Sequence, residues 1–203
     1  MMIPVLMLVL LGALVMSVAL MVVLNQQRKE NWALVARSLN IAYVRGTLVG
    51  RVDGVQVLVA VEKEIQQPVT VFKAEIEGGL PASLLITPQG VVAKGLKLLS
   101  SEDVHLQLGL PDLDPKLMVR AKDGQAVQDW ARLENVAEGL RQLINLRAFR
   151  LEPTMLSFEI RGAISDPKQL ELHIQELVSV AQLISPSTAL LAQEPDQDEG
   201  VLR

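Results

Sequence analysis

From Ile3 to Leu24 the chain carries no charged side chain, and only Pro4, Gly12 and Ser17 interrupt its apolar residues. At ~1.5 Å per residue a helix over this run reaches ~33 Å, enough to cross a hydrocarbon layer ~30 Å thick. Pro4 stands at the start, where a missing N–H costs a helix little. A cleaved secretory leader would need a basic start, a shorter apolar core and a small-x-small cleavage site. No Lys or Arg precedes the run, and the one candidate site, Ser17-Val18-Ala19, is followed by further apolar residues. The run therefore predicts a single membrane span over residues 1–24. Arg28, Lys29 and Arg37 follow it closely while only the chain amine precedes it, so the positive-inside rule predicts a cytoplasmic location for the rest. In a bacterium this is a single-pass inner-membrane protein. The absence of cysteine is compatible with a reducing compartment and also with an exported protein.

Ala13 and Ser17 form a small-xxx-small pair that could let two spans approach closely and pair the chain as a homodimer; a monomeric tether fits equally well. Trp32, Val35, Ala36 and Leu39 recur at helical spacing, predicting an amphipathic juxtamembrane helix over 25–40 or a continuation of the span, with Asn40 as its stop. Trp32 suits either the membrane interface or a packed core.

An α+β soluble domain is expected over residues 41–184. Thr47–Val52 and Val55–Glu62 are strand-like runs joined by Asp53-Gly54, a pair that tolerates positive φ in a two-residue hairpin turn. Val55, Val57, Val59 and Val61 alternate with other residues, so one face is buried. "VTVFKAEIEG" is a third strand whose core face holds Phe72 and Ile76; "SLLIT", "VHLQLGL" and "KLMVRA" are shorter candidates. Helical spacing spans Gln125 to Asn145, with a break near Leu133. Phe149 and Leu151, then Leu156, Phe158 and Ile160, flank the turn of a second hairpin. Ser165 or Asp166 as cap and Pro167 in the first turn open a last helix whose core face is Leu170, Ile174, Leu177, Val178, Ala181 and Ile184. Residues 185–203 hold four acids, one arginine and two prolines, and are expected to form a disordered acidic tail. Setting that tail aside leaves 18 of the chain's 19 basic and 19 of its 23 acidic residues, a near balance that is no nucleic-acid footprint.

The chemical inventory is thin. Without cysteine there is no thiol nucleophile and no thiolate metal cluster. His105 and His173 lie far apart in sequence, and neither has a metal-binding spacing. His173 flanks the core stripe of the last helix, as a partly buried packing residue would. Gly90 and Gly95 have the spacing of a phosphate loop, but Leu96 and Lys97 stand where Lys and Ser or Thr must act. Asp112 and Asp114, with Asp123 further on, lack the glycine and terminal Glu of a calcium loop, so turn chemistry at Asp114-Pro115 is the better reading. No catalytic residue, cofactor or metal site is assigned.

Three stretches, "WALVARSLNIAYVRGTLVGRVDGVQVLV", "GLPDLDPKLMVRAKD" and "IRGAISDPKQLELHIQELVSVAQLI", resemble in content and order single-span, membrane-anchored bacterial proteins of the myxobacterial kind, themselves uncharacterised. The resemblance implies an architecture and no activity. The sequence thus predicts an N-terminal transmembrane helix followed by an antiparallel, meander-like sheet with two or three helices on one face. The expected function is a non-catalytic, membrane-tethered interaction or scaffold module with a protein partner. The alternative is a lipid- or small-ligand-binding domain enclosing an apolar pocket lined by residues such as Phe72, Phe158 and Leu177.

Overall fold

The helix that opens the chain does not stop at the expected end of the span. The structure, a computed structural model, describes residues 2–63, 67–90, 104–146 and 148–185, without the side chains of residues 2–11, 104 and 105. The first helix, α1 (Met2–Ser38), runs 37 residues without a break, about 55 Å. Its two halves differ in what surrounds them. Nine large apolar side chains between Leu14 and Leu24 are 54 to 75% exposed, whereas Trp32, Val35 and Ala36 are buried in the core. Among the described residues no helix is long and apolar enough to cross a membrane. The apolar sleeve described, residues 12–24, reaches only ~20 Å; the rest of the expected span draws on side chains outside the described residues.

Asn40 ends α1 by a specific device. It takes a left-handed φ of 53°, Ile41 N–H donates to the Ala36 carbonyl at 2.9 Å and Asn40 N–H to that of Arg37 at 3.3 Å. These are the paired bonds of a Schellman stop, which satisfy carbonyls the helix would otherwise leave open.

Nine strands follow among the described residues: β1 (Ala42–Val44), β2 (Thr47–Val52), β3 (Val55–Lys63), β4 (Pro68–Glu75), β5 (Leu85–Pro88), β6 (Val104–Leu106), β7 (Leu117–Ala121), β8 (Phe149–Glu152) and β9 (Met155–Arg161). Three helices interleave with them: α2 (Gly124–Ala131), α3 (Glu134–Leu143) and α4 (Pro167–Ile184). All the strands join one antiparallel sheet in the order β1-β2-β3-β4-β9-β8-β5-β7-β6. The first four form a meander. Beyond them the β8–β9 hairpin is inserted between β4 and β5, a long-range pairing that strand periodicity does not encode. Both two-residue turns of the meander, Arg45-Gly46 and Asp53-Gly54, hold positive φ at each position (51° and 86°, 48° and 86°), matching the twist that tight hairpins require.

Register explains which face is the core. Val59, Phe72 and Phe158 are aligned across β3, β4 and β9, as are Val57, Ala74 and Leu156. All six are buried, and α4 covers them, with the His173 ring set edge-on to Phe72 and Phe158. The next residue along each strand turns to the other face, where Lys73 pairs with Glu62 at 3.5 Å. Val69 and Val71 are nevertheless buried on that side, a departure from simple alternation. Helix α4 starts as its sequence predicts, with Asp166 accepting from Lys168 N–H at 2.9 Å and Pro167 in the first turn. The expected break at Leu133 divides α2 from α3. Trp130 and Asn135, on either side of it, donate to the Ile184 and Leu183 carbonyls and so close the last turn of α4. The acidic tail, from residue 186, lies outside the described residues.

Gly54 generates a test. Gly54→Val would place a β-branched side chain at a φ of 86°, at a cost of about 1–3 kcal/mol. Urea or thermal unfolding of the full chain should show a clearly lower midpoint, and an unchanged one would refute the turn.

Candidate functional site

Asn25, Arg28, Lys29 and Trp32 lie three and four residues apart on α1, so one turn stacks over the next and all four share a face. Opposite them stand Tyr43, Arg45 and Gly46 at the β1–β2 turn, Val61 and Lys63 near the end of β3, and Pro68 at the start of β4. Together they line a cleft of about 600 Å³. Among the described residues ten line it, of which four are cationic and none is acidic.

The cleft has one fixed wall. Trp32 is 2% exposed and its indole N–H donates to the Ile164 carbonyl at 2.8 Å, while Asn31 Nδ2 donates to the Ser165 carbonyl at 2.7 Å. The same connector is tied from the sheet side, because the Thr70 hydroxyl donates to the Gly162 carbonyl at 2.8 Å and accepts from Ile164 N–H at 3.1 Å. Trp32 is therefore a core residue, which decides between its two expected roles, and its ring meets Tyr43 at a centroid distance of 6.4 Å. Arg28 is oriented by Asn25, whose Oδ1 accepts from its Nη2 at 2.6 Å. Arg45 stands at the tip of a two-residue turn, and Lys29 and Lys63 are exposed.

Among the described residues the sequence candidates do not converge on a second site. His173 Nδ1 lies 2.9 Å from Glu176 Oε2 and its ring packs on two phenylalanines, a structural arrangement. The side chain of His105 lies outside the described residues, as do residues 91–97 of the near phosphate loop. The three aspartates serve separate local tasks. Asp112 accepts from Arg141 Nε at 2.9 Å, Asp114 from Leu108 N–H at 2.7 Å, and Asp123 caps α2 by accepting from Ala126 N–H at 3.0 Å. The Arg141 hydrogen bond holds the Asp112 carboxyl below its ordinary range, so its contribution to stability is present at neutral pH and disappears as pH falls through that lowered pKa. Among the described residues no three His, Cys, Asp or Glu side chains could hold a metal. Phe72 and Phe158 stack at 4.5 Å and Leu177 is fully buried, so these three residues fill the core instead of lining the apolar pocket of the alternative reading. Ser17 directs its hydroxyl to the Ala13 carbonyl of its own helix at 2.8 Å. A smaller cleft of about 310 Å³, lined in part by Asp53, Glu75 and Glu77, has the opposite charge.

No protein-family model matches the sequence, and no curated protein matches it either. The crystal structure of the mycobacterial trehalose monomycolate transport factor A, TtfA, is similar in fold. The TM-score is 0.51, over 80% of this chain and 96% of that one, at 14% sequence identity. At that identity the likeness is one of fold alone.

Trp32 is the residue on which this site can be probed structurally. Trp32→Phe keeps an aromatic ring but leaves the buried Ile164 carbonyl without its donor, a cost of about 1–3 kcal/mol. The urea midpoint of the full chain should fall accordingly. Retention of the wild-type midpoint would mean that the indole bond adds nothing.

Proposed function

We propose that this chain is a membrane-tethered, non-catalytic interaction module whose folded domain stands at the cytoplasmic surface of a bacterial inner membrane. The observation that carries the reading is the sleeve of exposed apolar side chains from Leu14 to Leu24, continuous with a helix rooted in the core. Side chains of this kind each favour an apolar environment by about 1.5–3 kcal/mol, and nine on one helix call for a cover. A bilayer reached by the whole run from Ile3 is the cover that suits it. The flanking Arg28, Lys29 and Arg37 support the cytoplasmic side. Kinship with single-span bacterial proteins of similar layout belongs to the same proposal.

A second reading, a lipid- or small-ligand-binding domain at the membrane surface, is favoured by the cationic cleft beside the sleeve. The solved structure with the similar fold is named for trehalose monomycolate transport, which accords with ligand handling near a membrane.

Topology separates these proposals from their opposites. Single cysteines at Ser101 and Ser187 should resist an impermeant thiol reagent until the inner membrane is breached, and the chain should stay in the membrane fraction through an alkaline wash. Labelling when only the outer layer is permeabilised would place the domain on the other side. Release by the wash would overturn the tether itself.

A further inference from the structure

We propose that the cleft between α1 and the β1–β2 turn is a binding site for a phosphate group, supplied by an anionic lipid headgroup or by free phosphate. The proposal rests on the second reading above and specifies its ligand chemistry. Arg28 and Lys29, Arg45, and Lys63 come from three separated stretches of chain and line one cavity, with no carboxylate among the described lining residues. Like charges gathered in this way repel one another, and among the described residues none of the four is held in an ion pair. A bound anion removes that repulsion. Phosphate suits the set because a guanidinium fork can meet two of its oxygens while the ammonium groups act as point charges. Arg28 is already oriented by Asn25, so part of the ordering that binding needs is done in advance.

Position supports the same chemistry. The cleft's helix wall starts at Asn25, the residue after the apolar sleeve ends at Leu24, and its two cations, Arg28 and Lys29, stand ~6–8 Å beyond Leu24 along the axis. The headgroup layer adjoining a hydrocarbon core occupies that level, within ~5–8 Å of its edge. Tyr43, Val61 and Pro68 give the cavity apolar surface next to its cations, as an amphiphile with a phosphate at one end requires.

The test uses the full chain in neutral detergent, titrated by calorimetry with dihexanoyl phosphatidylglycerol, dihexanoyl phosphatidylcholine and inorganic phosphate. Phosphatidylglycerol should bind saturably and at least tenfold more tightly than phosphatidylcholine. R28Q/R45Q and, separately, K29Q/K63Q should each weaken it at least tenfold. The second pair alters two exposed lysines, so it remains informative if the first disturbs folding. R51Q/R132Q, which removes the same charge from residues paired with Glu77 and Asp129, should leave binding unchanged. Inorganic phosphate binding with the same sensitivity to the cleft variants identifies free phosphate as sufficient; binding of the anionic lipid alone identifies the headgroup. The assignment is overturned if neither cleft pair weakens binding, or if the control pair weakens it equally. Equal binding of both lipids, indifferent to the cleft variants, would leave the lipid-binding reading standing and remove only the cleft. No binding of any probe to the wild-type chain would remove both.

Discussion

The structure depends on how one helix is fastened. Ile164 gives its carbonyl to the Trp32 indole and its N–H to the Thr70 hydroxyl, so a single connector residue joins α1 to the inner strand β4. Each of these groups is buried, and a buried donor or acceptor without a partner costs far more than a formed bond adds. The arrangement is therefore specific as well as stabilising: sliding α1 by a residue would strand the indole N–H and the Ile164 carbonyl together. The Schellman stop at Asn40 fixes the other end of the same segment and turns the chain directly into β1. Between these two points the helix has little freedom to tilt against the sheet.

What the sequence reveals and what it hides divide along one physical line. Features written within about ten residues are readable: Asp53-Gly54 as a turn, the alternating valines of β3, Asp166-Pro167 at the start of α4, and the break at Leu133. Their causes are local, in backbone sterics, capping and amphipathic period. The insertion of β8 and β9 beside β4 is not readable, because it is decided by which apolar faces fit together after the local elements exist. The short strand β1 also escapes a pattern search, although Arg45-Gly46 marks its turn by the same chemistry as Asp53-Gly54. Trp32 could be placed on an apolar stripe, but its partner carbonyl lies 132 residues away.

The cleft was hidden for a related reason. Arg28 and Lys29 are legible as flanking charges of an apolar run, Arg45 as a turn residue and Lys63 as a strand end, and nothing in one dimension brings them together. One signal was available: Asn25, Arg28, Lys29 and Trp32 repeat at helical spacing, placing two cations on the edge of the stripe that Trp32 buries. The core histidine shows the converse. His173 stands out as a chemical candidate in a chain with two histidines, yet its neighbours are two phenylalanine rings and a glutamate of its own helix, which leaves it packing work.

Continuity of α1 has a geometric consequence for any role at a membrane. A flexible linker would let the domain tumble and present all its faces to the bilayer in turn. Here the exposed sleeve and the buried anchor of Trp32, Val35 and Ala36 belong to one unbroken helix, and the anchor is held by the Ile164 connector. The direction of the sleeve therefore sets the direction of the domain. The side of the molecule nearest the sleeve is the one that carries Arg28, Lys29, Arg45 and Lys63, so those cations are held on the side from which the sleeve projects. The acidic cleft of Asp53, Glu75 and Glu77 is formed instead with Ala181, Gln182 and Ser185 at the far end of α4, whose opposite end begins beside the connector that holds Trp32. Charge of the two signs is thus separated along α4, and a fixed helix is what lets that separation act as an orientation.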